Sequence, residues 1–259
     1  MIIRTAEQRE GIIEAGRRLG VVLDVVAAKV APGVTTLELD QLSEKLIRDG
    51  GDEPAFKGYK PEGASYPYPS ALCISVNDEV VHGIPSAERV LQEGDIVSLD
   101  LGLIHKGFVV DSALTVPVGK TDKQSYALME ATQAALEAAI AAARPGARVG
   151  DISHATEATF TGTGFSVVKE LGGHGVGQHV HEEPWIGNAG HAGTGPEIVA
   201  GMVLALEPIA NVGKGAVEIL DDDYTFVSRD GSRSAHFEHT ILVEDEETIV
   251  VTRRPSEQT

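Results

Sequence analysis

Four carboxylates and one imidazole could do chemistry together in this chain. Asp100, Asp111, His174, Glu207 and Glu238 each fall in a segment that reads as strand or strand edge, His174 among glycines in Gly172-Gly173-His174-Gly175-Val176-Gly177. An acid buried in a strand must be protonated or paired. Leu204-Ala205-Leu206-Glu207-Pro208 and Phe237-Glu238-His239-Thr240 have no Lys or Arg to pair with. One such acid would be an ordinary hydrogen-bond acceptor; four with a histidine point to a site, and an oxygen-rich set with one imidazole suits two divalent cations.

The clearest part of the set is the stretch from Asp95 to Val118, where two apolar strands flank Ile104-His105-Lys106-Gly107 as a turn. If Leu103 pairs with Phe108, Asp100 lies opposite Asp111, and a shift of two residues keeps both on one face. Facing carboxylates repel and Asp is scarce in strand interiors, so the arrangement calls for a cation. The alternative is a solvent-facing polar stripe.

The glycine-rich stretch continues through Gln178-His179-Val180-His181-Glu182-Glu183-Pro184 and places three histidines where backbone and imidazole can approach a ligand closely. Its glycine spacing does not match a dinucleotide loop. The His181-Glu182 run lacks the second histidine of a zinc-protease helix, and Pro184 would break that helix.

The elements that must hold these residues come in a repeated order. Thr5 with Gln8 reads as a capping box for a helix running to Val30 and stopped by Pro32-Gly33, and a second helix spans Thr36 to Arg48. A helix from Asp122 to Ala143 and a shorter one through Asp151 to Thr161 follow in the second half. Period-two segments come after each pair: Leu72–Val76, Ile96–Leu103 and Phe108–Val116, then Phe165–Lys169, Met202–Ala210, Ala216–Leu220, Tyr224–Ser228 and Ala235–Val243. Hairpin-rich strands after grouped helices predict an α+β fold with an antiparallel sheet covered by helices. The repeat predicts one catalytic domain over residues 1–259 with halves at about 1–120 and 121–259, the alternative being chance similarity.

Composition narrows the function classes. A net charge of −18 argues against a nucleic-acid groove and is accounted for by solubility. Hydrophobic content of 42% with 5% aromatics describes a globular protein with an aliphatic core. The first ten residues carry charges where a signal peptide needs its apolar segment, no apolar run spans a bilayer, and Cys73 is the single cysteine. A cytoplasmic protein without membrane contact is expected.

Cys73-Ile74-Ser75-Val76-Asn77 leading to His82-Gly83-Ile84-Pro85, the Asp100/Asp111 hairpin, Gly173-His174-Gly175, His181-Glu182-Glu183-Pro184, Glu207-Pro208 and Glu238-His239-Thr240 occur in this order. Together they resemble the type I methionine aminopeptidases, two-metal exopeptidases with the pita-bread fold, whose halves are related by a pseudo-twofold axis. The likeness runs from the first helix to about Thr252.

The resemblance implies that Asp100 chelates one metal, that His174 and Glu207 hold the other, and that Asp111 and Glu238 bridge them. The metals would be Mn²⁺, Fe²⁺, Co²⁺ or Zn²⁺. It further implies Glu207 as general base and acid, His181 as donor to the carbonyl oxygen, and His82 at the next peptide nitrogen; from the residues alone, His82 reads equally as a turn histidine beside Pro85. Cys73, Tyr68 and Tyr224 would form the methionine pocket with Tyr66 and His236 nearby, and the carbonyls of Asn77, Glu79 and Ser234 would hold Na⁺ or K⁺. The implied activity is removal of the initiator methionine from nascent chains at the ribosome, by a monomer, when the second residue is small.

Val180, Leu171 and Ala189 depart from the family pattern, and an extra 58–65 segment precedes Tyr66-Pro67-Tyr68. These touch substrate breadth, not chemistry. The rival readings are an X-Pro aminopeptidase or prolidase-like hydrolase, against which the expected lack of a large N-terminal domain counts, and a non-catalytic pita-bread binding protein, against which the full ligand set counts.

Overall fold

The computed structural model describes residues 1–61 and 63–258. Two helices open the chain, α1 (Ala6–Ala27) and α2 (Thr36–Asp49). Five strands follow: β1 (Glu53–Pro54), β2 (Leu72–Val76), β3 (Glu79–Val81), β4 (Ile96–His105) and β5 (Phe108–Pro117). The order then recurs with α3 (Lys123–Ala142) and α4 (Val149–Thr159), followed by β6 (Ser166–Val167), β7 (Gly172–Gly175), β8 (Glu182–Gly187), β9 (Val203–Leu206) and β10 (Ile209–Asn211). The last strands are β11 (Val217–Ile219), β12 (Phe226–Ser228), β13 (Ser234–His236), β14 (His239–Val243) and β15 (Thr248–Val250).

The helices form where capping and apolar spacing agree. Thr35 and Glu38 make the full reciprocal cap of α2, and Asp122 accepts from Ser125 N at the start of α3. The box expected for α1 is half formed: Gln8 N donates to Thr5 Oγ1, but Gln8 Oε1 takes the amide of Arg4 instead of Thr5. α1 stops at Ala27, short of Val30, as tighter turns from Lys29 N to Val26 O and Val30 N to Ala27 O unwind it ahead of Pro32. Ile12, Ala15, Leu19, Leu23 and Val26 form the buried stripe of α1, which packs on β4 and β5.

All strand pairings are antiparallel, in four groups. The largest are β15-β14-β9-β7-β8 and the group in which β1 and β2 flank β4, with β5 also on β4. One apolar core lies beneath α1 and α2, a second beneath α3 and α4.

Three expectations change at the strands. The β4–β5 hairpin turns on Lys106-Gly107 alone, both at positive φ (49° and 84°), so Ile104 and His105 remain in the strand. Asp111 then pairs with Gly102, and Asp100 with Ala113. The acids are therefore diagonal neighbours on one face, two residues from the directly opposed register. The expected strands Met202–Ala210 and Ala235–Val243 are each broken, between Leu206 and Ile209 and between His236 and His239. The register is the same on both sides, with His239 paired to Leu206 and Ile209 to His236, so the breaks coincide and put Glu207 opposite Glu238.

The two halves are stitched at this point. Glu238 N donates to Ala113 O at 2.9 Å and Ala113 N returns to Glu238 O at 3.3 Å. Thr240 Oγ1 accepts from Asp111 N and donates to Asp111 O, while Ser112 Oγ donates to Glu238 O.

Candidate active site

The five candidate ligands read from the sequence lie at that seam. β4 contributes Asp100, β5 Asp111, β7 His174, and the paired strand breaks Glu207 and Glu238. Ligand atoms of Asp111, His174 and Glu238 lie within 4.8 Å of one another. His174 Nε2 is 3.4 Å from Glu207 Oε1.

His174 can reach the acids because its neighbours have no side chains. A Cβ on Gly173 would stand 2.2 Å from Ala205 O, and one on Gly175 2.2 Å from Glu183 O, so any larger residue would push β7 off β9 or β8. Its Nδ1 faces Gly175 O at 2.9 Å. The carbonyl can only accept, so Nδ1 carries the proton and the Nε2 lone pair faces the acids.

Burial, reinforced by neighbouring negative charge, raises the carboxyl pKa values of Asp100, Glu207 and Glu238; burial also raises Asp111, against a hydrogen bond with Asp100. Burial has the opposite effect on the imidazoles, lowering His82 to about 4 and His174 and His236 to about 3, so all three are neutral. Among the described residues, Asp100 Oδ1, Asp111 Oδ1 and Glu238 Oε1 are buried without a hydrogen-bond partner. Among the described residues no Lys or Arg lines the cavity. Oxygen donors, one bare imidazole nitrogen and no protein cation fit a divalent metal centre.

These residues floor a cavity of about 100 Å³, whose walls include Cys73, His82, His181, Tyr68 and Tyr224. His82 has φ of 59°, a left-handed backbone uncommon outside glycine, and its ring meets Phe226 edge-on at 5.9 Å. His181 stands at the mouth with its ring 4.5 Å from that of His174. Glu182 braces its loop: one carboxylate oxygen accepts from Gln178 N and His179 N, the other from the Met1 ammonium.

Tyr68 is buried, with its hydroxyl donated to Gly83 O at 2.8 Å, and it packs edge-on against Tyr224. Tyr66 lies outside the cavity: it is 37% exposed, donates to Asp222 O, and its carbonyl accepts the Tyr224 hydroxyl. His236 is not a wall residue either, but its Nε2 lies 3.5 Å from Glu207 Oε2, behind the acids. Asn77, Glu79 and Ser234 are apart from the cavity; Ser234 N donates to Asn77 O and Glu79 Oε2 takes Val76 N.

Phe56, Tyr59 and Pro61 also line the cavity, and none of them was assigned a role from the sequence. The only signal was the extra 58–65 segment, in which Tyr59 and Pro61 fall; residue 62 lies outside the described residues.

Buried acids that no protein cation answers among the described residues, beside an imidazole turned toward them by its own backbone, mark the class of metal-dependent proteins. The profile of metallopeptidase family M24 matches residues 10–245. The methionine aminopeptidase of Aquifex aeolicus (strain VF5) is 43% identical over 97% of this chain and 99% of its own. The crystal structure of methionine aminopeptidase from Thermotoga maritima superposes with a TM-score of 0.93 at 41% identity, covering 98% of this chain and all of the other. The prolidase of Pyrococcus furiosus, at TM-score 0.75 and 22% identity over 97% of this chain and 65% of its own, shares the fold alone. The chain belongs to metallopeptidase family M24, and within it to the methionine aminopeptidases, with their pita-bread fold.

Proposed function

We propose that the protein removes N-terminal methionine from nascent chains whose second residue is small, as a cytoplasmic monomer with two divalent cations. It is a metallo-aminopeptidase. The observation that carries the reading is the convergence of three unpartnered carboxylate oxygens and the His174 lone pair on the floor of a cavity walled by Tyr68, Cys73 and Tyr224.

Asp100 would hold one cation, His174 and Glu207 the other, with Asp111 and Glu238 shared. When bound, the cations supply Lewis-acid polarisation of the scissile carbonyl and make the attacking water more acidic. Glu207, with its oxygens near His174 and His236, takes the proton from the water and returns it to the leaving amine. His181 donates to the carbonyl oxygen as negative charge develops there. His82, neutral because of its burial, accepts from the peptide N–H of the following residue. A large second side chain would collide with the wall beside His82, whose strained backbone fixes that wall in place.

The methionine side chain would lie against Tyr68, Cys73 and Tyr224, an apolar wall that suits a polarizable thioether. Tyr66 supports this pocket through Tyr224, and His236 supports Glu207. The carbonyls of Asn77, Glu79 and Ser234 are proposed to hold one Na⁺ or K⁺.

The test is hydrolysis of Met-Ala-Ser, Met-Leu-Ser and Ala-Pro-Ser by metal-stripped protein resupplied with Mn²⁺, Fe²⁺, Co²⁺ or Zn²⁺ in turn. Cleavage confined to Met-Ala-Ser is expected. Preference for Ala-Pro-Ser would transfer the protein to the proline-specific peptidases, and silence with every metal would make it a binding protein.

A further inference from the structure

Tyr59 does more than line the cavity. Its hydroxyl is 2.9 Å from His181 Nδ1, and the two rings lie 5.3 Å apart at 59°. The backbone fixes the tyrosine in place: Tyr59 N donates to Phe56 O at 2.9 Å, Tyr68 N to Tyr59 O at 2.8 Å, and Gly58 N to Tyr68 O at 2.8 Å. The hydroxyl is thus delivered to the histidine from a closed segment that is itself tied to the wall residue Tyr68.

A neutral imidazole has one N–H, and the group met by one nitrogen decides whether the proton sits on the other. His181 can donate into the cavity from Nε2 only when Nδ1 is bare. Near neutral pH a phenol has a proton to give, and burial raises the Tyr59 pKa further. Among the described residues the Tyr59 hydroxyl has no other hydrogen-bond partner.

We propose that Tyr59 is a positioning residue: its hydroxyl donates to His181 Nδ1, holds the ring in the Nε2–H tautomer, and aims that N–H at the substrate carbonyl. The contact between the Tyr59 hydroxyl and His181 Nδ1 is what the geometry supplies; the direction of its hydrogen bond is the proposal, and the catalytic use of that tautomer rests on the aminopeptidase reading above.

Tyr59→Phe removes only the hydroxyl and keeps the ring that walls the cavity. In the Zn²⁺-loaded full chain, ¹⁵N spectra of labelled histidines, with His181 assigned from a His181→Asn sample, should show an acceptor-type Nδ1 and a protonated Nε2. Tyr59→Phe should mix the two tautomers. With the best metal from the peptide screen, its kcat on Met-Ala-Ser should fall about tenfold, with KM within about twofold and the preference for methionine intact. A protonated Nδ1 in the unaltered protein, or a tautomer unmoved by Tyr59→Phe, would overturn the proposal. A change confined to KM or to first-residue preference would reduce Tyr59 to a pocket wall. If no peptide is cleaved by the unaltered protein, the aminopeptidase reading fails, yet the spectra still decide the tautomer.

Discussion

At the scale of single residues, the groups proposed to touch substrate and those proposed to hold metal are separable by experiment. His181 stands at the mouth with Nδ1 against Tyr59 and, among the described residues, no carboxylate partner. His181→Ala should retain both metals while kcat falls by about 10² or more, as expected for a donor used only in the transition state; an unchanged rate would remove it from the mechanism. Asp111 combines a buried oxygen, unpartnered among the described residues, with a ligand atom within 4.8 Å of those of His174 and Glu238. Asp111→Asn is therefore expected to weaken uptake of both cations at least about tenfold, measured by calorimetric titration with Mn²⁺, and two native-affinity sites would contradict its shared position. Tyr68 is buried against Tyr224 and braced on Gly83 O. Tyr68→Ala should broaden the choice of first residue in a peptide panel, and an unaltered profile would take it out of the pocket.

At the scale of elements, two devices place the acids. The Lys106-Gly107 turn sets the register that makes Asp100 and Asp111 diagonal neighbours. Gly107, at φ 84°, is where a Cβ costs about 1–2 kcal/mol. Gly107→Ala should lower Tm by several degrees without abolishing metal binding; an unchanged Tm would show that the turn tolerates the side chain. The coincident breaks around Glu207 and Glu238 are the second device, and they explain one partial failure of sequence reading. Apolar alternation ran through both acids, so each strand read as continuous. Pro208 cannot supply a ladder N–H, and a break re-aims the adjacent side chain out of the strand's own two faces. The four helices were legible to within two or three residues at their ends, because apolar spacing and glycine or proline stops are local signals, whereas the Thr35–Glu38 cap went unread and the expected Thr5–Gln8 box is half formed. The segment around His174 read as strand or strand edge without bounds and β8 was not read at all, since Gly173 and Gly175 are strand residues only because neighbouring backbones occupy their side-chain space.

At the scale of the whole molecule, the site exists where the halves meet, so metal affinity and stability are linked. The folded state raises the pKa values of Asp100, Asp111, Glu207 and Glu238 above the ordinary carboxyl range. A raised folded value means that the metal-free protein gains stability by holding those protons. That gain is fully present below about pH 4 and is lost as pH rises through the raised values. Cations need the deprotonated acids, so the rise in Tm on adding Mn²⁺ should be larger at pH 8 than at pH 6. An equal rise at both pH values would show that these acids do not control uptake.

The sequence by itself determined the candidate donor types, the existence and order of the helices, and the likeness to methionine aminopeptidases, because each is written in residue identity or spacing. It also determined that Asp100 and Asp111 share a face, since a period of two survives a shift of two residues. Tertiary structure alone decided the register of that pair, the meeting of Glu207 and Glu238 at matching breaks, and the exclusion of Tyr66 from the cavity. It also brought Tyr59 against His181, 122 positions away. These depend on which backbones approach one another across the seam, and nothing in the periodicity of a single strand records that approach.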